Sequence, residues 1–202
     1  MTPPPADRPA GAELVLIRHA PIAEPGRLCG RTDLPARLDF GGISKLSECV
    51  AGVSSIVTSP ALRCRQTAAA LWPGRADPPQ DPRLWEQDFG AHDGLAHADL
   101  PDLGVLNDAD LAAYRPPGGE SFDDLCARLG PALRDHARAV QAAAAPRALV
   151  VHAGVIRAAL ALALGTGPAA LRFEIAPLSV TRLRVLGDAG FGVIGVNRGF
   201  LQ

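Results

Sequence analysis

Arg18 and His19 stand at the end of an apolar run, Leu14-Val15-Leu16-Ile17, and the pattern recurs twice. "VSSIVTSP" (53–60) delivers Ser59 and then Arg63, and "RALVVHAG" (147–154) delivers His152. Taken singly, each residue has an ordinary explanation. A histidine at a strand end caps or packs as readily as it reacts, and an arginine early in a helix, where it opposes the dipole, is more often solvated surface. The shared position carries the weight, because ligands in open α/β sheets bind beyond the carboxyl ends of the strands. An arginine set against the dipole at such a place is explained by an anion in front of it.

The chemistry that needs these residue types together is phosphoryl transfer. A phosphoryl group carries close to two negative charges near neutral pH, and its transfer is promoted by positioning and by neutralising its equatorial oxygens. Two arginines and a histidine can do this without Mg²⁺ or any cofactor. A neutral imidazole is also a competent nucleophile that forms a phosphoramidate, and nearby arginines favour the neutral ring. The two-step route then requires a carboxyl that protonates the leaving oxygen and afterwards deprotonates water. "RLWEQDFGAHDG" (83–94) offers Glu86, with Asp88 and Asp93 as rivals. Glu86 follows the apolar Leu84-Trp85, a setting suited to a general acid. Asp88 reads as a cap for loop N–H groups before Phe89-Gly90, and Asp93 as a turn former before Gly94.

Strands and helices must hold these groups. Three strand-to-polar-to-helix junctions predict an α/β fold, with a mostly parallel central sheet and helices on both faces. Ser59-Pro60 reads as the cap of a helix that runs to Trp72 and stops at Pro73-Gly74. Phe122, Leu125, Leu129, Leu133, His136, Ala137 and Val140 recur at spacings of three and four, so 121–140 is the clearest amphipathic helix. Gly118-Gly119 precede it, with Ser121 and Asp124 placed for a capping box. Residues 84–117 are rich in Asp, Gly, Ala and Pro, with one short helical candidate at 107–114; the alanines at 142–145 mark a helix end or linker. "SVTRLRVL" and "FGVIGVN" flank Gly187-Asp188-Ala189-Gly190 as a hairpin.

The 202 residues suit one domain, expected over 13–202, with 1–12 as a disordered lead-in and no export signal. A net charge of -1 gives no reason to expect a nucleic-acid partner, and His152 and Arg157 interrupt the apolar stretch that could otherwise suggest a membrane span. Only Lys45 among the 20 basic residues is a lysine, so any cationic site is built from guanidinium forks, which suit phosphates and carboxylates. The cysteines at 29, 49, 64 and 126 form no Cys-x-x-Cys pair, and the five histidines form no metal signature. A reducing, cytoplasmic setting fits, the expected partner is a small-molecule phosphomonoester, and a homodimer is compatible with this reading.

"LIRHA" (16–20), "TSPALRCRQTA" (58–68), "LWEQDFG" (84–90), "GGESF" (118–122) and "VHAGVIRAAL" (151–160), in this order, resemble the histidine phosphatase superfamily, the phosphoglycerate mutase-like fold, over about 13–197. The resemblance implies that His19 is the phosphate acceptor, that Arg18, Arg63 and His152 contact phosphate with Ala153 beside them, and that Glu86 is the proton donor. Two departures stand out. Ala20 replaces the glycine of the commoner Arg-His-Gly, which is harmless if its φ is negative. An asparagine usual soon after the nucleophile is absent from "GRLCGRTDLPA", so either Arg31 or Thr32 takes over its contact. "GRTDLP", "EQDFG" and "HAGVIRA" look most like the alpha-ribazole phosphatase branch, which implies removal of a nucleoside 5′-phosphate in cobalamin assembly. A broad or sugar-phosphate phosphatase, a mutase and a silent phospholigand-binding scaffold are the alternatives, with a metallohydrolase as the reading from another class.

Overall fold

Alternation within a single strand sets the two faces of the sheet. In β1 (Glu13–Arg18), Leu14 and Leu16 point into one apolar cluster while Val15 and Ile17 point into the other, as the period of two requires. β1 sits in the middle of a five-stranded sheet of order β2-β3-β1-β4-β5, where β2 is Ser55–Thr58, β3 Arg147–Val151, β4 Val180–Val185 and β5 Phe191–Arg198. The computed structural model describes residues 12–39, 41–187 and 190–199; most of the lead-in expected at 1–12 and the turn residues 188 and 189 lie outside these.

β2, β3 and β1 run parallel, whereas β4 pairs antiparallel with β1 and with β5. The sheet is therefore mixed, a parallel three-strand block extended by the expected hairpin. In register, Arg18 lies opposite Val151 and Thr58 opposite Val150. The backbone N–H groups of His19 and Ser59 still donate to Val151 and Val150, at 2.9 and 3.0 Å. The ladder thus continues one residue past β1 and β2, fixing His19, Ser59 and His152 side by side at one edge.

Helices cover both faces. On one, α1 (Ile43–Cys49) and α2 (Leu62–Leu71) bury Leu46, Cys64, Ala68 and Leu71. On the other, α4 (Phe122–Ala143) and α5 (Ala153–Leu164) bury Leu125, Leu129, Leu133, Val155 and Ile156, with α3 (Asp108–Ala113) and α6 (Gly167–Ala170) at the margin. Truncating one such leucine costs about 2–5 kcal/mol through lost transfer energy and the cavity left behind. α4 starts on a complete capping box between Ser121 and Asp124 and ends where Ala144 turns left-handed at φ 47°.

One expectation about caps is corrected. α2 begins at Leu62, with Ala61 as its cap residue and no cap from its own segment. Asp33, from a distant loop, takes the Leu62 N–H at 2.7 Å, and Ser59 is left to bond His152 at 2.8 Å. Ser59 also accepts from the Ala61 N–H, at 3.3 Å, which is one residue short of the first helical turn.

Candidate active site

The parallel strand ends, the start of α5 and the loop around Glu86 enclose a cavity of about 540 Å³. Arg18, His19, Glu86, Ala153, Gly154 and Arg157 line it, together with Leu28, Phe89, Phe122 and Pro177. His19 is nearly buried. Its Nδ1 lies 2.6 Å from its neighbour's carbonyl, that of Ala20. A carbonyl can only accept, so a neutral His19 carries its proton on Nδ1, and Nε2 keeps its lone pair. Burial first, then Arg63 and Arg18, holds the ring well below the ordinary histidine value, in the neutral form. Ala20, fully buried and outside the positive-φ residues, donates its N–H to Thr67 at 2.9 Å, so the missing glycine leaves no strain.

His152 is placed otherwise. Its ring stands edge-on to His19, centroids 5.2 Å apart, and lies parallel to Trp85 at 6.4 Å. Nδ1 is 3.2 Å from an Arg63 terminal nitrogen and Nε2 is 2.8 Å from the Ser59 hydroxyl. The guanidinium must donate, so Nδ1 accepts and Nε2 donates to Ser59. Burial, then Arg63 and His19, pushes this ring well below its ordinary value too. Both nitrogens of His152, expected at the phosphate, are engaged within the protein.

Arg63 is fully buried on α2 and donates to the carbonyls of Thr32 (3.1 Å) and Gly30 (2.8 Å). Its Nε is buried without a hydrogen-bond partner, as is that of Arg18, while Asp33 lies 4.0 Å from Arg63 Nη1. Two such orphaned cationic donors fit an anion. The Nε of Arg31, buried too, lies 3.9 Å from Asp88. Arg18 donates an Nη1 hydrogen bond to Ile175, and burial lowers its proton affinity against the opposing pull of Glu86. Neither Arg31 nor Thr32 lines the cavity: Arg31 stacks on Trp85 at 5.4 Å, and Thr32 contributes its carbonyl to Arg63. Asp93 does more than form a turn. Its carboxylate accepts from the N–H groups of Gly30, Arg31 and Thr32 at 2.9, 2.6 and 3.1 Å, which shapes the loop that seats Arg63.

Glu86 is buried and accepts from Gly154 N–H and Gln87 N–H, both at 3.0 Å. Gly154 lies in the first turn of α5, so the carboxyl meets the positive end of that helix. A Cβ on Gly154 would collide with Glu86 Oε1, which explains the glycine. Asp88 caps Gly90 N–H at 2.9 Å, as its position before Phe89-Gly90 suggests. Sequence reasoning missed the residues that hold this loop. Arg128 on α4 donates to Glu120 at 2.8 Å from Nε and from Nη2, and to the carbonyls of Arg83, Trp85 and Glu86. It also passed over Arg157, although its spacing from Ala153 puts both on one face of α5. Among the described residues, no group of three or more His, Cys, Asp or Glu side chains could hold a metal ion.

A central sheet with two histidines and several arginines at its parallel strand ends is the architecture of a phosphoryl-handling α/β protein. The chain belongs to the histidine phosphatase superfamily (branch 1), whose family pattern matches residues 14–197. Among proteins similar to it is the bifunctional protein Rv2228c of Mycobacterium tuberculosis, 35% identical over 154 residues. That match covers 71% of this chain and 41% of that protein, so the chain spans about two-fifths of the length of the curated relatives it matches. The mycobacterial glucosyl-3-phosphoglycerate phosphatase Rv2419c, solved with VO3, superposes with a TM-score of 0.75 at 26% identity over 93% of this chain and 99% of that one. TTHB049 from Thermus thermophilus does so with 0.68 at 27%, over 92% and 99%. No helix of the described residues is long and apolar enough to cross a membrane.

Proposed function

We propose that the protein is a metal-independent phosphomonoesterase that works through a phosphohistidine on His19 and acts on a small, hydroxyl-rich phosphoester of the sugar-phosphate kind. The observation that carries this reading is the Nδ1–H···O=C bond of His19, which leaves Nε2 free to attack. In the first step Nε2 attacks phosphorus, the N–P bond forms as the ester P–O bond breaks, and Glu86 gives its proton to the departing oxygen. In the second, the Glu86 carboxylate takes a proton from water as the water oxygen attacks phosphorus, and inorganic phosphate leaves with the nitrogen lone pair restored. Arg18 and Arg63 neutralise the equatorial oxygens, and His152 positions Arg63 through Nδ1.

The sugar-phosphate assignment draws on the similarity to the glucosyl-3-phosphoglycerate phosphatase. A second reading, alpha-ribazole 5′-phosphate, is favoured by a different observation. An apolar chamber of about 240 Å³ shares Leu28, Gln87, Phe89, Phe122 and Leu171 with the catalytic cavity and reaches Leu111 and Tyr114. A flat apolar base would fit it. Comparing kcat/KM for glucosyl-3-phosphoglycerate, alpha-ribazole 5′-phosphate and glucose 6-phosphate in excess chelator tests both. Preference for the first supports the main reading and for the second the other; activity abolished by the chelator contradicts both.

A further inference from the structure

We propose that Arg157 forms a second anion subsite, which receives a carboxylate carried by the alcohol half of the substrate. The inference rests on the phosphatase reading of the same cavity and specifies what its leaving group carries. Arg157 lies one turn along α5 from Ala153 and Gly154, and all three line the cavity. Its Nε donates to the Phe173 carbonyl at 2.9 Å, and no partner among the described residues takes its two terminal nitrogens. Neither is fully buried, and Arg157 lines the cavity. Arg18 donates from Nη1 to the carbonyl of Ile175, two residues beyond Phe173. The two guanidinium groups are thus aimed by one segment, and Arg18 feels the charge of Arg157.

Pairing separates their tasks. Among the described residues, Glu86 is the sole carboxyl lining the cavity, and backbone N–H groups hold it. Arg27, the other arginine at the mouth, pairs with Glu24 at 3.0 Å and donates to the Gly94 carbonyl. In the proposed mechanism Arg18 and Arg63 serve the phosphoryl group, and Arg63 also has Asp33 at 4.0 Å, whereas Arg157 is a half-buried cation without an ion-pair partner among the described residues. Such a group is costly until a ligand brings a counter-charge. A fork whose Nε is already occupied presents two parallel N–H donors, the arrangement that a planar carboxylate accepts in two-pronged fashion.

The test uses a matched pair, 3-phosphoglycerate and glycerol 3-phosphate, which differ in carrying a carboxylate or a CH2OH at the far carbon. Kd values come from calorimetry in a His19→Ala background, which cannot turn the ligands over. Ki values against p-nitrophenyl phosphate with His19 intact repeat the comparison should that background not fold. With Arg157 present, 3-phosphoglycerate should bind about 10–100-fold tighter, the range for hydrogen bonds to charged groups. Arg157→Leu should bring the ratio near one while glycerol 3-phosphate keeps its affinity within about threefold, and Arg157→Lys should restore only part of the preference. A ratio near one with Arg157 present, a ratio unchanged by Arg157→Leu, equal loss of both ligands, or full recovery with lysine would each overturn the paired contact. Failure of the phosphatase reading would register separately, as no phosphate release from any ester, and would leave the Kd ratio to be read as it stands.

Discussion

His19 and His152 differ in which ring nitrogens the protein occupies. His19 gives up only Nδ1, to a backbone carbonyl, while His152 uses Nδ1 for Arg63 and Nε2 for Ser59. Because burial is the larger cause of the lowered His19 value and the arginines the smaller, the acid limb of phosphoenzyme formation should lie below the ordinary histidine value of about 6.5. Arg18→Gln should move that limb up by only part of the gap, read from the pH dependence of single turnovers at saturating substrate. A limb at 6.5 or above in the unaltered protein would contradict the assigned neutral ring. At Gly154, alanine should displace Glu86. Turnover of a sugar phosphate should then fall by about 10²-fold or more, with far less loss in the phosphoenzyme burst from p-nitrophenyl phosphate, whose leaving group barely needs a proton. Equal losses on both substrates would mean that the glycine does not serve Glu86. The strand-end positions of His19, Ser59 and His152 were legible because a polar residue directly after an apolar run must emerge at the sheet edge. The tautomers and the Gly154–Glu86 contact were not, since they depend on backbone groups brought together from distant segments.

Among the elements, α4 does more than cover the sheet. Arg128 projects from its polar side and, with Glu120, ties down residues 83–88; Glu120 also accepts from Asp88 N–H at 3.1 Å. Burial opposes the Glu120 charge, but the Arg128 bonds and the Asp88 N–H together hold its carboxyl below the usual range. Arg128→Leu should lower stability by about 1–3 kcal/mol, discounted for its partial exposure, and should lower kcat more than it raises KM, because the loop that carries Glu86 loses its anchor. Denaturant melts and steady-state kinetics check this, and a melt shift with unchanged kcat would limit Arg128 to a structural role. The three-and-four spacing of leucines made α4 legible, and the capping box fixed its start. α1 and α6 were not legible, because elements of seven and four residues hold too few turns to show a period. The α2 cap failed for another reason: Asp33 lies far from Leu62 in sequence and near it only in the fold.

At the scale of the whole molecule, three of the histidines are buried. His19, His152 and His136 all have folded-state values lowered chiefly by burial; at His136, Asp81 pulls the other way. A lowered value means that the unfolded chain binds more protons below about 6.5, so stability should be full above that pH and should fall on acidification from there. Each histidine contributes a slope of up to about 1.4 kcal/mol per pH unit until its folded value is reached. Melts between about pH 8 and 5 measure this, and His136→Gln should remove one share of the slope without touching the cavity. The parallel block and the hairpin were legible in the order of apolar runs and turns. The mixed pairing was not, because strand order depends on which helix covers which face. The central claim is that the intact protein passes phosphate through His19. It is tested most directly by quenching turnover of a ³²P-labelled ester without acid and mapping the label. A base-stable, acid-labile phosphoryl group on His19, absent from His19→Ala, is the expected result; no label during turnover, or label on His152 or a carboxylate, would contradict it.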